Sequence, residues 1–256
     1  MVNVLTILAF NDNYIWLIKD SQSQHCVVVD PGDATPVLEM IESQALILDA
    51  ILLTHKHDDH IGGVRQLLSV LGDDINVFSK DKLFPESTLV VEGQSIHCFE
   101  SRLVLEVMEV PGHTLDHIVF YNQQLLFSGD TLFSGGCGRV FEGSHEQMFN
   151  ALSRLAMLPD DTKIYCAHEY TTSNLTFAYA IEPKNSALLT YMQTVAKKRQ
   201  QGLSTIPTCI GIEKSINPFL RCEQQDLVNH LQNQLARPLL AGIETFSALR
   251  TYKDNF

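Results

Sequence analysis

Basic residues are scarce in this chain: Lys and Arg number 18 against 30 Asp and Glu, a formal charge of −12 at pH 7. A phosphate backbone demands a surplus of cations, so this balance rules out a dedicated nucleic-acid binder as the default reading. Long apolar runs are missing as well. Nowhere do about 18 uncharged apolar residues follow one another, so no membrane-spanning helix is expected. The stretch MVNVLTILAFNDNY has no basic n-region, since the first lysine is Lys19, and Asn11, Asp12 and Asn13 break its apolar run. The expectation is therefore no secretory signal. C-x-x-C spacing is absent: the six cysteines stand scattered at 26, 98, 137, 166, 209 and 222. They read as reduced core thiols of a cytoplasmic protein, not as a disulfide framework. No G-x-S-x-G elbow announces a serine nucleophile. What remains is ordinary globular material: 256 residues, 45% apolar and 19% charged, enough for one large domain or two smaller ones.

Charge is split unevenly along the chain. Residues 1–168 hold 9 basic and 23 acidic residues, whereas residues 169–256 hold 9 basic and 7 acidic. This asymmetry suggests two units, 1–168 and 169–256. The first alternates short apolar runs with turn signals. Strands are expected at Val2–Ala9, Tyr14–Lys19, Cys26–Asp30, Ala50–Leu53, Ile75–Phe78, Ser95–Phe99, Leu103–Val110, Ile118–Tyr121, Gln124–Ser128 and Lys163–Ala167. Helices are expected at Thr35–Gln44, Ile61–Leu71 and His145–Leu158. The second unit reads as helices at Thr172–Ile181, Ala187–Gln201, Glu223–Leu235 and Ala241–Lys253, punctuated by Pro183, Pro207, Pro218 and Pro238.

The strongest chemical signal is Thr54-His55-Lys56-His57-Asp58-Asp59-His60, between an apolar strand and a helix. Imidazole and carboxylate are the donors that Zn²⁺ and similar ions prefer. His55 and His57, two apart on extended chain, point the same way and suit one ion. Asp59 and His60 open the next turn and suit a second. Burying such a cluster without a metal would be costly. Further single donors follow other apolar runs: His113 in Pro111-Gly112-His113-Thr114, Asp130 in Ser128-Gly129-Asp130-Thr131, and His168 in Ala167-His168-Glu169. Loops at strand ends are where sites gather.

The series H-x-H-x-D-H, G-H-T, G-D-T and a late His resembles the metallo-β-lactamase superfamily. Within it, Phe10-Asn11-Asp12-Asn13-Tyr14, Asp130-Thr131-Leu132-Phe133, Gly135-Gly136-Cys137-Gly138-Arg139, Cys166-Ala167-His168-Glu169-Tyr170, Asn217-Pro218-Phe219 and Leu249-Arg250-Thr251-Tyr252-Lys253 resemble the hydroxyacylglutathione hydrolases, the glyoxalase II family. The resemblance runs from the first strand to the last residues. It implies an α+β fold, a four-layer αβ/βα sandwich followed by a smaller all-helical C-terminal domain. It implies two divalent ions per chain, zinc ahead of iron or manganese. His55, His57 and His113 would hold one, Asp59, His60 and His168 the other, and Asp130 would bridge both. Asp59 and Asp130, with a hydroxide held between the ions, would form the catalytic centre. Lys56 and Asp58 occupy positions that are not ligands in the family. Asp116 stands where many relatives have Gly, and Phe141 where some have Tyr. His117 reads equally as a structural residue and as a neighbour of the ligands.

The resemblance implies hydrolysis of S-(2-hydroxyacyl)glutathione, chiefly S-D-lactoylglutathione, in the cytoplasm by a monomer with no nucleic-acid or membrane partner. A thiolate of pKa near about 8.5–9 departs unprotonated, so a thioester needs no general acid. Glutathione carries two carboxylates and calls for cations. Arg139, Phe141, Tyr170, Arg250 and Lys253 are the implied contacts, Arg250 and Lys253 lying three apart on one helix face. Cys137 reads as a small residue in a tight turn, since thiolate activation needs a basic neighbour. The competing readings are a lactonase and a glutathione persulfide dioxygenase on the same scaffold.

Overall fold

The computed structural model describes residues 2–72 and 74–256. The chain forms two compact units. The first comprises the residues up to Glu109 together with Asp116–Gly129; the second comprises Val110–Leu115 and Asp130–Phe256.

In the first unit the elements are β1 (Val2–Ala9), β2 (Asn13–Asp20), β3 (His25–Val29), α1 (Ala34–Ser43), β4 (Ile47–Leu52), α2 (Asp58–Ile61), α3 (Val64–Leu71), β5 (Asn76–Ser79), β6 (Ser87–Leu89), β7 (Ser95–Cys98), β8 (Leu103–Glu109), β9 (Ile118–Tyr121) and β10 (Leu125–Gly129). One sheet runs β1 to β6 in chain order. β1, β2 and β3 pair antiparallel, and β3, β4, β5 and β6 pair parallel. Strand β2, NYIWLIKD, is buried along nearly its whole length, as expected of a strand inside a covered sheet. α1 starts where the Asp33 carboxylate accepts from the Thr35 amide at 2.9 Å, satisfying an orphan donor of its first turn. Val37, Val64 and Leu67 then pack on Leu17, Val28 and Ile51. Each such side chain contributes about 1.5–3 kcal/mol by leaving water. Strands β7 to β10 of this unit pair antiparallel in the order β10-β9-β8-β7.

The second unit holds the hairpin β11 (Leu132–Phe133) and β12 (Gly136–Cys137), then α4 (His145–Leu155), β13 (Lys163–Cys166), α5 (Thr171–Ile181), α6 (Ser186–Gln200), β14 (Thr208–Cys209), α7 (Ile210–Ile216), α8 (Gln225–Leu235) and α9 (Ile243–Asp254). β13 and β14 pair antiparallel. A capping box between Ser144 and Gln147 starts α4, two reciprocal bonds at its free amides. An aromatic cluster joins the elements: Phe219 stacks with Phe177 at 6.0 Å and meets Phe246 edge-on at 5.7 Å. The long elements thus agree with the sequence pattern to within a few residues.

The differences have physical causes. The expected helix Ile61–Leu71 is interrupted, because the Gly63 amide donates to the Pro31 carbonyl at 2.9 Å instead of continuing the helical ladder. The segment after residue 168 is not wholly helical, since β14 adds a two-residue strand there. α7 escapes notice because seven residues carrying a glycine show little periodicity. α9 starts at Ile243, after Gly242 with φ 84°, a conformation costly for residues with a Cβ. Among the described residues no helix is long and apolar enough to cross a membrane.

Candidate metal centre

In the first unit, parallel strands β3 and β4 end side by side. The end of β3 supplies Asp30, and the chain beyond β4 supplies His55 to His60. Sequence reasoning missed Asp30, since Asp-Pro-Gly reads as a turn. Its backbone is left-handed, φ 51°, a region that Asp tolerates better than most residues. Its Oδ1 accepts from the Thr54 amide at 2.8 Å, and its Oδ2 accepts from the Thr54 hydroxyl at 2.7 Å. The same Oδ2 lies 2.9 Å from His60 Nδ1. A carboxylate there holds the proton on Nδ1 and leaves Nε2 as the lone-pair nitrogen.

The same logic sets His55. The Thr54 hydroxyl has given its hydrogen to Asp30, so at 3.1 Å it accepts from His55 Nδ1. His55 Nε2 then lies 3.1 Å from His57 Nδ1, two ring nitrogens converging on one point. The His117 ring stacks on His55 at 4.6 Å. Asp59 Oδ2 accepts from the buried Asn13 amide at 3.0 Å and lies 3.6 Å from His60 Nε2. Gly32 is required here, because a Cβ would overlap the Asp59 carbonyl. Lys56 and Asp58 are exposed.

In the second unit the donors are His113, Asp130 and His168, all buried. His113 Nδ1 lies 2.7 Å from the Arg139 carbonyl. A carbonyl only accepts, so this ring too keeps its proton on Nδ1. Asp130 faces a different imidazole with each oxygen: Oδ2 is 3.5 Å from His113 Nε2, and Oδ1 is 3.4 Å from His168 Nε2. Gly138 lies against both, since its Cβ would overlap the Asp130 carbonyl and sit 3.3 Å from His113 Nδ1. Imidazole and carboxylate donors fit a divalent transition ion.

The expected substrate contacts differ in exposure. Arg139, Phe141 and Tyr170 are exposed. Tyr170 stacks on His168 at 4.6 Å, and Phe141 meets His113 edge-on at 5.2 Å. The Lys253 ammonium sits over the Phe177 ring at 5.0 Å, and burial with the nearby Arg250 charge lowers its pKa. Arg250 is buried, only 4% exposed. Burial also pushes the Cys137 thiol up, which disarms it as a nucleophile at neutral pH.

A metallo-beta-lactamase superfamily model matches residues 9–168, and one described as the hydroxyacylglutathione hydrolase C-terminus matches residues 169–256. A hydroxyacylglutathione hydrolase of Psychromonas ingrahamii is 66% identical over all of both chains. The chain belongs to the hydroxyacylglutathione hydrolase family. A second relative of that name, from Photobacterium profundum, is 50% identical, again over all of both chains. Among solved structures, ETHE1 from Myxococcus xanthus superposes with a TM-score of 0.65 at 24% identity, covering 99% of this chain and 98% of its own. Hydroxyacylglutathione hydrolase membership thus carries the metallo-beta-lactamase fold, of α+β class.

Proposed function

We propose that this chain is a metal-dependent thioester hydrolase that cleaves S-(2-hydroxyacyl)glutathione. S-D-lactoylglutathione is its foremost substrate, yielding D-lactate and glutathione as the second step of methylglyoxal detoxification in the cytoplasm. The observation that carries the reading is Asp130, whose two carboxylate oxygens face one imidazole each. His55, His57 and His113 would hold one divalent ion, and Asp59, His60 and His168 a second, with Asp130 on both; zinc comes ahead of iron or manganese. Support comes from the chemistry of the donors, since imidazoles and carboxylates suit a divalent transition ion. Bound there, divalent ions would lower the pKa of a water toward neutrality and polarise the thioester carbonyl.

The chain's own residues do the rest. Asp30, Thr54 and the Arg139 carbonyl hold protons on the Nδ1 atoms of His60, His55 and His113 and aim the opposite nitrogens. The glutathione thiolate leaves without a proton, so no side chain need act as general acid. Arg139 and Lys253 supply charge for the glutathione carboxylates, with Phe141, Tyr170 and Arg250 as the remaining expected contacts. Residues 1–168 form the catalytic part and 169–256 the substrate-binding part in this reading, which the meeting point of the two family models supports.

The test is hydrolysis of S-D-lactoylglutathione, followed at the thioester absorbance, with metal content assayed on the same sample. Turnover with about two ions per chain, lost in Asp130→Ala, is the expected result. A fully metallated sample without turnover sinks the reading, and a lactone and glutathione persulfide are the substrates to try next.

A further inference from the structure

Phe10 stands at the tip of the first hairpin. Ala9 of β1 pairs with Asn13 of β2, leaving Phe10, Asn11 and Asp12 as the turn. Two observations set this phenylalanine apart. It is 59% exposed, and its backbone is left-handed, φ 51°. A single exposed apolar residue needs no explanation. A bulky side chain on left-handed backbone does, since that region is costly for such residues. Asn11 and Asp12 follow directly, and their residue types bear that conformation more easily. The turn thus gives up stability twice, through strain and through a phenyl ring left in water. Strain of this kind gathers where it serves a site.

The tip lies against the turn that carries Asp59. A Cβ on Gly32 would meet both the Asp59 carbonyl and the Phe10 ring, the latter at 3.0 Å from Cε2. Asn13, which closes the hairpin turn, donates from its side chain to the Asp59 carboxylate at 3.0 Å. One edge of the ring is thereby seated near Asp59 while most of the residue stays open. Phe141 and Tyr170 have the same form in the second unit, as exposed rings against His113 and His168. Those two are expected substrate contacts, and Phe10 repeats the arrangement beside a donor of the first unit. A phenyl ring offers neither charge nor a hydrogen bond. What it recognises is apolar surface. In a 2-hydroxyacyl thioester the apolar part next to the reacting carbonyl is the substituent on the hydroxyl-bearing carbon.

We propose that Phe10 is a specificity-determining residue, an apolar wall beside Asp59 for the acyl substituent of the thioester. The inference rests on the proposed reaction and on Asp59 as a metal ligand. Its rival is contact with the glutathione portion, which every substrate shares.

The experiment uses the zinc-loaded full chain and compares wild type with Phe10→Asn and Phe10→Tyr. The substrates are the glutathione thioesters of glycolate, D-lactate and D-mandelate, whose substituents are hydrogen, methyl and phenyl. kcat/KM is measured for each. Zinc retention against a chelator and the melting of the metal-free protein are measured alongside. The mandeloyl-to-glycoloyl ratio of kcat/KM should fall about tenfold in Phe10→Asn, the low end for an apolar contact that sets specificity, with the lactoyl thioester in between. Phe10→Tyr keeps the ring and should keep the ratio within about twofold of wild type. The metal-free melting temperature should rise in Phe10→Asn, because asparagine tolerates the left-handed backbone and no buried ring is lost. Where Phe10→Asn does not fold, Phe10→Leu should move the ratio in the same direction by less. An equal fall for all three thioesters overturns the proposal in favour of glutathione contact. An equal fall with weakened zinc retention and a lower melting temperature overturns it in favour of a purely structural ring. Wild type that cleaves none of the three overturns the proposed reaction and this inference together. Wild type that cleaves them, with the ratio unmoved in Phe10→Asn, overturns the inference alone.

Discussion

In the first unit four donors, His55, His57, Asp59 and His60, leave one strand end within six residues. In the second, His113, Asp130 and His168 come from three separate places. The first set is oriented by its immediate neighbours: Asp30 and Thr54, at the ends of adjacent parallel strands, fix two imidazoles. The second set is oriented by backbone drawn from elsewhere, through the Arg139 carbonyl and the close approach of Gly138. A contiguous motif carries its own support, whereas a dispersed one borrows it from distant chain. In this protein the lender is α7. Glu213 and Asn217 of the α7 end grip the β11–β12 hairpin: Glu213 accepts from the Gly135 amide at 2.7 Å, and Asn217 donates to the Gly136 carbonyl at 2.9 Å.

The largest expected effect breaks the dispersed set at its centre. Asp130→Ala removes both oxygens facing His113 and His168, and turnover of S-D-lactoylglutathione should fall by at least about 10²–10³-fold, the scale of losing a group that acts on developing charge. Metal content per chain should fall with it. Unchanged metal content and rate would mean that Asp130 holds no metal.

Asp30→Asn tests the contiguous set. Asparagine tolerates the left-handed backbone at this position as aspartate does, so the change is confined to charge. Metal retention against a chelator should weaken roughly 10–100-fold. A variant that holds metal like wild type would show that His60 needs no carboxylate behind it.

The glycines sharpen the contrast at a smaller scale. Gly32→Ala pushes a Cβ into the Asp59 carbonyl, and Gly138→Ala pushes one into the Asp130 carbonyl. Each should cost about 1–3 kcal/mol of stability, the range for overpacking, measured by thermal melting with metal removed. With metal present, Gly138→Ala should lose more activity than Gly32→Ala, because its Cβ also crowds His113 Nδ1. Equal losses would remove the distinction between self-supported and borrowed geometry.

Much of this was legible in the residues. H-x-H-x-D-H announces its chemistry by density, and the strands that deliver His113, Asp130 and His168 show as apolar runs. Asp30 was hidden because an aspartate before Pro-Gly is equally what a turn requires. The burial of Arg250 was hidden because a basic pair three residues apart on a helix is also what a solvated face looks like. Only the long-range pairing with the carbonyls of Cys137 and Gly138 separates the two. Glu213 was hidden for a similar reason: α7 is short, its apolar residues are few, and the partners of its glutamate stand some 80 residues upstream.

The smallest effect concerns that same glutamate. Burial raises the Glu213 pKa above its ordinary 4.5, against the pull of four donors: the Gly135 amide, the Thr208 and Ser134 hydroxyls and Asn217. The folded state therefore holds a proton there over a pH range in which the unfolded chain has lost it. Where the native state binds more protons, stability falls as pH rises. Glu213 thus destabilises the fold progressively from about pH 4.5 up through its raised folded value. Glu213→Gln removes this titration and keeps the shape, and the Ser134 and Thr208 hydroxyls are free to rotate and accept from the new amide. Melting temperatures of the two proteins, measured side by side from pH 4 to 8, cancel the other titrating groups common to both. Their difference should move in favour of the variant as pH rises. A difference that stays flat would mean that Glu213 is ionised throughout and that its four donors outweigh its burial. α7 would then hold the hairpin by a full charge, and the borrowed support would be electrostatically as strong as the Asp30 carboxylate behind His60.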